Sequence, residues 1–155
     1  DVARPYLIMP KRHRASHEYW SPDGRRLFYH KRQVDDIWSP PRWSPCYLSY
    51  MERTSGRHVD FYSSTTQHLN HSICTPDGRY VISDNDIWAT HPGAENELLR
   101  VEVATGRSET LWWPNVRGTH PRMSCGGPCI SPRGTWAGTT SDRTGEPQVY
   151  LTRLS

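Results

Sequence analysis

Lysine, phenylalanine and the branched aliphatics are scarce in this chain. Two Lys stand beside seventeen Arg, there are two Phe, and Leu, Ile, Val and Phe together supply 25 of 155 residues. So few aliphatic side chains exclude a large aliphatic core, and with a high net charge they would point to disorder. The formal charge is only +3, and seven Trp and eight Tyr provide bulk for burial. The chain is expected to fold around aromatic rather than aliphatic packing.

Other absences narrow the function classes. No apolar run approaches the ~20 residues needed to span a bilayer as a helix, and no signal-peptide pattern is present, so no membrane partner is expected. The basic residues do not cluster into a run, and there is neither a Gly-x-Ser-x-Gly nucleophile nor a phosphate loop. Nucleic-acid, serine-hydrolase and nucleotide readings are left without support. Cys46, Cys74, Cys125 and Cys129 form neither a paired CxxC zinc pattern nor a disulfide framework, and read as small buried apolar residues. Thirteen Pro and eleven Gly are spread along the length. They leave few windows for a helix, which excludes bundles and doubly wound α/β folds.

What is present is a repeat. Ser21-Pro22-Asp23-Gly24-Arg25-Arg26-Leu27-Phe28-Tyr29 returns as Thr75-Pro76-Asp77-Gly78-Arg79-Tyr80-Val81-Ile82-Ser83, and more weakly as Ser131-Pro132-Arg133-Gly134-Thr135-Trp136. The turn glycines Gly24, Gly78 and Gly134 are almost evenly spaced. A second element, Tyr47 to Arg57, matches Leu98 to Arg107 in the same order. Pro-Asp-Gly is turn chemistry, and the aromatic and β-branched flanks form hairpins around it.

Four strands every fifty-odd residues describe a β-propeller blade, so the fold class is all-β, with about three four-stranded antiparallel blades. Residues 1–10, with Pro5 to Pro10, are expected to be the last strand of a preceding blade. Blades follow at 14–65, 66–115 and 116–155. Because propellers close with about four to eight blades, three imply a partial ring. The remaining blades, or another copy, are then needed to close it, and a fragment starting at Asp1 without Met is the expected reading.

A histidine stands five residues before the turn proline in two units, His17 before Pro22 and His71 before Pro76. That position opens the innermost strand, which faces the central channel. The third unit brings His120 on a longer approach. Three imidazoles from three blades could hold a divalent transition metal, with Gln67 or water completing the shell, or could serve as blade-to-blade hydrogen-bonding groups. The Arg-rich composition suits acidic ligands, or equally places solvated Arg on strand edges and in loops. Asp35-Asp36-Ile37-Trp38 and Asp84-Asn85-Asp86-Ile87-Trp88 read as structural clusters, with Trp38 and Trp88 packing between blades.

The run Ser16-His17-Glu18-Tyr19-Trp20-Ser21-Pro22-Asp23-Gly24, with Thr119-His120-Pro121 and Thr140 to Leu151, resembles the C-terminal half of the oligogalacturonide lyases, seven-bladed propellers of polysaccharide lyase family 22. The Ser-Pro-Asp-Gly turns are shared with TolB-like and peptidase propellers. The resemblance implies a metal, usually manganese, held by His17 and by a Gln-x-x-His-Pro-His motif. His120 and Pro121 match that motif, but Arg117 and Arg122 occupy its Gln and second His positions. A register anchored on Ser131-Pro132 instead places Gly126-Gly127-Pro128 there. His71, Gln67 or His68 would then complete the site.

The implied reaction is β-elimination of short oligogalacturonides in pectin degradation. The substrate is thus an acidic oligosaccharide, with Arg117, Arg122 and Gln67 as substrate-binding residues. The family's catalytic His and Arg belong to upstream blades, so no catalytic base is assigned and the chain alone is expected to be inactive. The compartment implied is the bacterial cytoplasm or periplasm. The second reading is a noncatalytic TolB-like propeller that binds a protein or small ligand.

Overall fold

A computed structural model describes residues 13–33, 45–85, 96–115 and 127–154. They form eleven strands in three antiparallel sheets. The first sheet is β1 (His13–Trp20), β2 (Arg26–Gln33), β3 (Cys46–Glu52) and β4 (His58–Ser64), in that spatial order. The second is β5 (Leu69–Cys74), β6 (Tyr80–Asn85), β7 (Leu98–Glu102) and β8 (Ser108–Trp112), again in sequence order. The third holds β9 (Cys129–Ile130), β10 (Trp136–Ser141) and β11 (Gln148–Arg153), giving it three strands among the described residues. The segments holding Pro5 to Pro10, Trp38 and Trp88 lie outside them.

The repeated turns form because their side chains satisfy their own backbone. Ser21 Oγ donates to Asp23 Oδ1 at 2.6 Å, and that oxygen also accepts the Arg25 N–H at 3.0 Å. Thr75 and Asp77 repeat the pattern at 2.6 and 3.0 Å, with Arg79 as backbone donor. The third turn has Arg133 where the carboxylate stands in the others, so the Thr135 N–H donates to Ser131 Oγ instead, while the bond to that hydroxyl oxygen from the following N–H is common to all three turns. Gly24, Gly78 and Gly134 all take positive φ, which an L side chain resists.

The outer hairpins are locked in a parallel way. Glu52 accepts from Ser55 and from Arg57, while Glu102 accepts from Thr105, Arg107 and Arg79. Part of the Arg content is therefore engaged within turns. Its carboxylate partners are held below their usual range, Glu52 down to about 2 through its bonds from Arg57 and Ser55.

Period-two alternation explains how the sheets stack. On β6, Val81 faces the first sheet with Leu99 and Val101, and the adjacent Ile82 faces the third with Leu98 and Ala137. All six are at most 3% exposed. The first interface is aromatic on one side, where Phe28 stacks on Tyr19 and meets Tyr50 and Phe61 edge-on. The second has an aliphatic centre, with Ile73, Leu111 and Ile130 around Ile82, and an aromatic contact where Trp112 of β8 meets Tyr150 of β11 at 5.2 Å. Among the described residues the buried aromatic packing expected from composition is concentrated in the first sheet. Trp20, Trp113 and Trp136 are exposed, because they fall on strand ends and on the outer face of the third sheet rather than between sheets. Cys46 and Cys74 are buried as expected, whereas Cys129, on the short β9, is exposed.

Candidate functional site

The two histidines placed five residues before a turn proline sit at matching irregularities. On β1, Ser16 pairs with His30 and Tyr19 with Phe28, so three steps on one strand answer two on the other. The extra residue falls at His17-Glu18. On β5, Leu69 pairs with Asn85 and Ser72 with Ser83, which puts a like bulge at Asn70-His71. A bulge re-aims its side chains away from the regular alternation. His17 accordingly adopts φ of 58°, in the left-handed region, where Asn115 is the other non-glycine among the described residues.

These bulges bring the imidazoles together. The His17 and His71 ring centroids are 4.8 Å apart, nearly perpendicular, and His30 of β2 meets His17 edge-on at 5.8 Å. Behind His71 stands Asp84, buried at 4% exposure: Oδ1 accepts the His71 backbone N–H at 2.6 Å and Oδ2 lies 3.0 Å from Nδ1. A carboxylate on Nδ1 fixes the tautomer with the lone pair on Nε2. His30 is itself buried, with Nε2 2.7 Å from Ser72 Oγ, and that hydroxyl is 3.1 Å from the Tyr19 hydroxyl. Arg32 donates to the Leu69 carbonyl at 2.9 Å, which adds a guanidinium beside the cluster.

Burial, then His71 and Arg32, hold the His17 pKa below the ordinary imidazole value. Burial, with His17 and Arg32 adding to it, pushes His30 down to about 3. Both rings are neutral at neutral pH, the form in which an imidazole can ligate a metal.

Of the site residues read from sequence, His17 and His71 are thus adjacent. Gln67 is engaged elsewhere: its Oε1 accepts from the Tyr62 hydroxyl at 3.0 Å and its Nε2 donates to Glu97 at 2.9 Å. His120, Arg117 and Arg122 lie outside the described residues. Against His71 the third sheet brings Gly127, where a Cβ would stand 3.7 Å from the His71 Cγ. Gly127 precedes Gly134 by the same interval as His71 precedes Gly78, so it occupies the third copy of the histidine position. Among the described residues, no three His, Cys, Asp or Glu side chains are grouped so as to hold a metal ion. The donor set in place is two imidazoles, one backed by a carboxylate.

No protein-family model matches the chain, and no curated protein matches it in sequence. Solved structures do match it in shape. An oligogalacturonate lyase in complex with manganese aligns over 94% of this chain with a TM-score of 0.74 and 18% identity. An oligogalacturonate lyase from Vibrio parahaemolyticus aligns over 95% at 0.70 and 16%, and TolB from Acinetobacter baumannii over 96% at 0.67 and 15%. The fold is a β-propeller. The chain spans 34–37% of the length of these three proteins.

On this propeller the histidines occupy the first strand of each of two successive sheets, next to one another. His30 and Asp84 were not singled out as site residues by sequence reasoning. The signal was available, since His30 lies as far beyond Gly24 as Asp84 lies beyond Gly78, at the same place in the repeat. Each faces the bulged histidine of its own sheet. The Asp84-Asn85 cluster divides its work accordingly, Asp84 serving His71 while Asn85 binds Asn96 and the Glu97 backbone.

Proposed function

We propose that this chain is part of a metal-dependent lyase that cleaves short oligogalacturonides by β-elimination. The observation that carries the reading is the His17–His71 pair, 4.8 Å apart, with Asp84 behind His71. It lies in a fold matched over 94% of the chain by a lyase whose structure includes manganese. The donors suit a divalent transition metal, for which imidazole is a favoured ligand. His17 and His71 would hold it, with His120 the further ligand proposed from the sequence.

When bound, such a cation acts as a Lewis acid on a uronate carboxylate and makes the neighbouring carbon acid easier to deprotonate. The chain's own groups prepare for that role. Asp84 fixes the orientation and tautomer of His71, and burial keeps His17 neutral. Arg32 supplies fixed positive charge next to the pair, and Arg117 and Arg122 are proposed to meet the acidic sugar's other carboxylates. An acidic oligosaccharide is therefore the proposed substrate.

The test combines metal analysis of the complete protein, in which the remaining blades close the ring, with the ultraviolet absorbance of an unsaturated uronate on adding oligogalacturonate; residues 1–155 alone are expected to give no turnover. Bound manganese or a related divalent metal, and growth of that absorbance, are expected. Absence of both would overturn the reading. The near-equal likeness to TolB, at 0.67 against 0.74, favours as second reading a noncatalytic propeller that binds a protein or small ligand. Binding without turnover would select it.

A further inference from the structure

We infer that Ser72 is the positioning residue that sets the separation of His17 and His71, through its two hydrogen bonds to the neighbouring sheet. The inference deepens the reading above and rests on it where metal binding is concerned. Ser72 follows His71 on β5, yet its hydroxyl bonds only to the first sheet among the contacts described: His30 Nε2 on β2 at 2.7 Å and the Tyr19 hydroxyl on β1 at 3.1 Å. Tyr19 is two residues beyond His17, and His30 touches His17 edge-on at 5.8 Å. The contacts close a circuit from His17 to His30, to Ser72, to His71 and back to His17 at 4.8 Å.

Apolar packing holds the two sheets together but is non-directional, and by itself does not specify where one imidazole stands against the other. Hydrogen bonds are directional and weaken steeply with distance and angle, so two of them on one hydroxyl fix the lateral register of β5 against β1 and β2. The proton arrangement is self-consistent. With the His30 proton on Nε2, that N–H donates to Ser72 Oγ and the Ser72 hydroxyl donates to the Tyr19 oxygen; with it on Nδ1, the Tyr19 hydroxyl donates to Ser72 and Ser72 donates to the Nε2 lone pair. Ser72 has no equivalent in the first sheet, where Glu18 stands at the same distance before the turn glycine. Its role belongs to the junction between the sheets rather than to the repeated blade.

The experiment compares the intact wild-type protein with Ser72→Ala, Ser72→Thr and Phe61→Leu. Phe61→Leu loosens the same interface without touching Ser72. Mn2+ affinity is measured by calorimetry, and the His17–His71 ring separation by crystallography of the metal-free proteins. Ser72→Ala is expected to weaken Mn2+ binding about 10-fold, the low end of the range for an outer-shell partner, because Ser72 acts on the ligands through His30 and the chain rather than by a bond to either. Ser72→Thr, which keeps the hydroxyl, should recover it, and Phe61→Leu should leave it nearly unchanged. In the crystals the two rings should separate in Ser72→Ala alone. Equal loss in Ser72→Ala and Phe61→Leu would mean a merely structural role and overturn the inference, as would an unchanged Mn2+ affinity in Ser72→Ala. If the wild type binds no Mn2+, the metal reading fails and the ring separation decides: an unchanged distance in Ser72→Ala overturns the positioning role, and a widened one upholds it. If Ser72→Ala does not fold, Tyr19→Phe, which removes one of the two bonds and keeps the ring, replaces it under the same criteria.

Discussion

A Cβ built on Gly106 would lie 2.2 Å from the backbone oxygen of Phe61, so the β7–β8 turn of the second sheet is pressed against β4 of the first. The corresponding turn of the first sheet has Gly56, whose Cβ would meet nothing within 4 Å. Both glycines have nearly the same φ, 70° and 68°. Substitution by Ala therefore separates backbone strain from steric contact. Gly56→Ala is expected to cost about 1–2 kcal/mol, the penalty of an L residue in the left-handed region. Gly106→Ala adds a clash with a carbonyl that cannot swing aside, and should exceed about 4 kcal/mol. Urea denaturation of the two variants checks the difference.

The turn carboxylates give a second comparison. Asp77 is held below its usual pKa by its bonds from Thr75 and the Arg79 N–H. Losing them in Asp77→Ala is expected to cost about 1 kcal/mol. The third turn lacks such a group at Arg133, so Arg133→Asp is expected to raise stability by about 0.5–1 kcal/mol. A folded-state pKa below the unfolded one means that this contribution is complete above the unfolded value and fades as pH falls through the folded one. The gain from Arg133→Asp should accordingly be present at pH 7 and gone in strong acid, as thermal melts at the two conditions will report.

His30 has the opposite chemistry and also loses stability towards acid. Its folded pKa is about 3, against 6.5 for an ordinary imidazole. Above the ordinary value both folded and unfolded states carry a neutral ring, and the contribution is fully present. Below it the unfolded chain takes up a proton that the buried ring refuses. Stability then falls by about 1.4 kcal/mol per pH unit until the folded value is reached. His30→Gln, which keeps a polar group for Ser72, should flatten that slope. Denaturation midpoints of the two proteins should diverge between neutral pH and about pH 4.5.

Asp84→Asn tests the support behind His71. The amide can still accept from the His71 backbone N–H, but its NH2 then faces Nδ1 and turns the ring to the other tautomer. On the proposed reading Mn2+ affinity drops about 10- to 100-fold. Calorimetric titration measures it, and an unchanged affinity would remove Asp84 from the site.

Much of this arrangement was legible in the sequence, and for definite reasons. Turn chemistry is local, so Ser21 to Gly24 and Thr75 to Gly78 announced the inner hairpins without knowledge of the rest. The even spacing of those turns then put His17 and His71 in equivalent places. What the spacing did not reveal was the bulge at each, because a bulge depends on pairing register across two strands and leaves no mark on one. His30 stayed hidden for a related reason. Its neighbours Phe28 and Tyr29 read as ordinary buried strand, and its partner Ser72 comes from another sheet 42 residues away. The resemblance points to His120, whereas beside His71 the third sheet presents Gly127.

The left-handed backbone at His17 has an energetic side. A residue at φ of 58° is held there at a cost of order 1–2 kcal/mol that glycine would largely avoid. Replacing His17 with glycine would ease the chain while deleting the imidazole. For folding alone, glycine would be the more comfortable residue at this position. A histidine at such a place marks where the demands of a site and the comfort of the backbone pull in opposite directions.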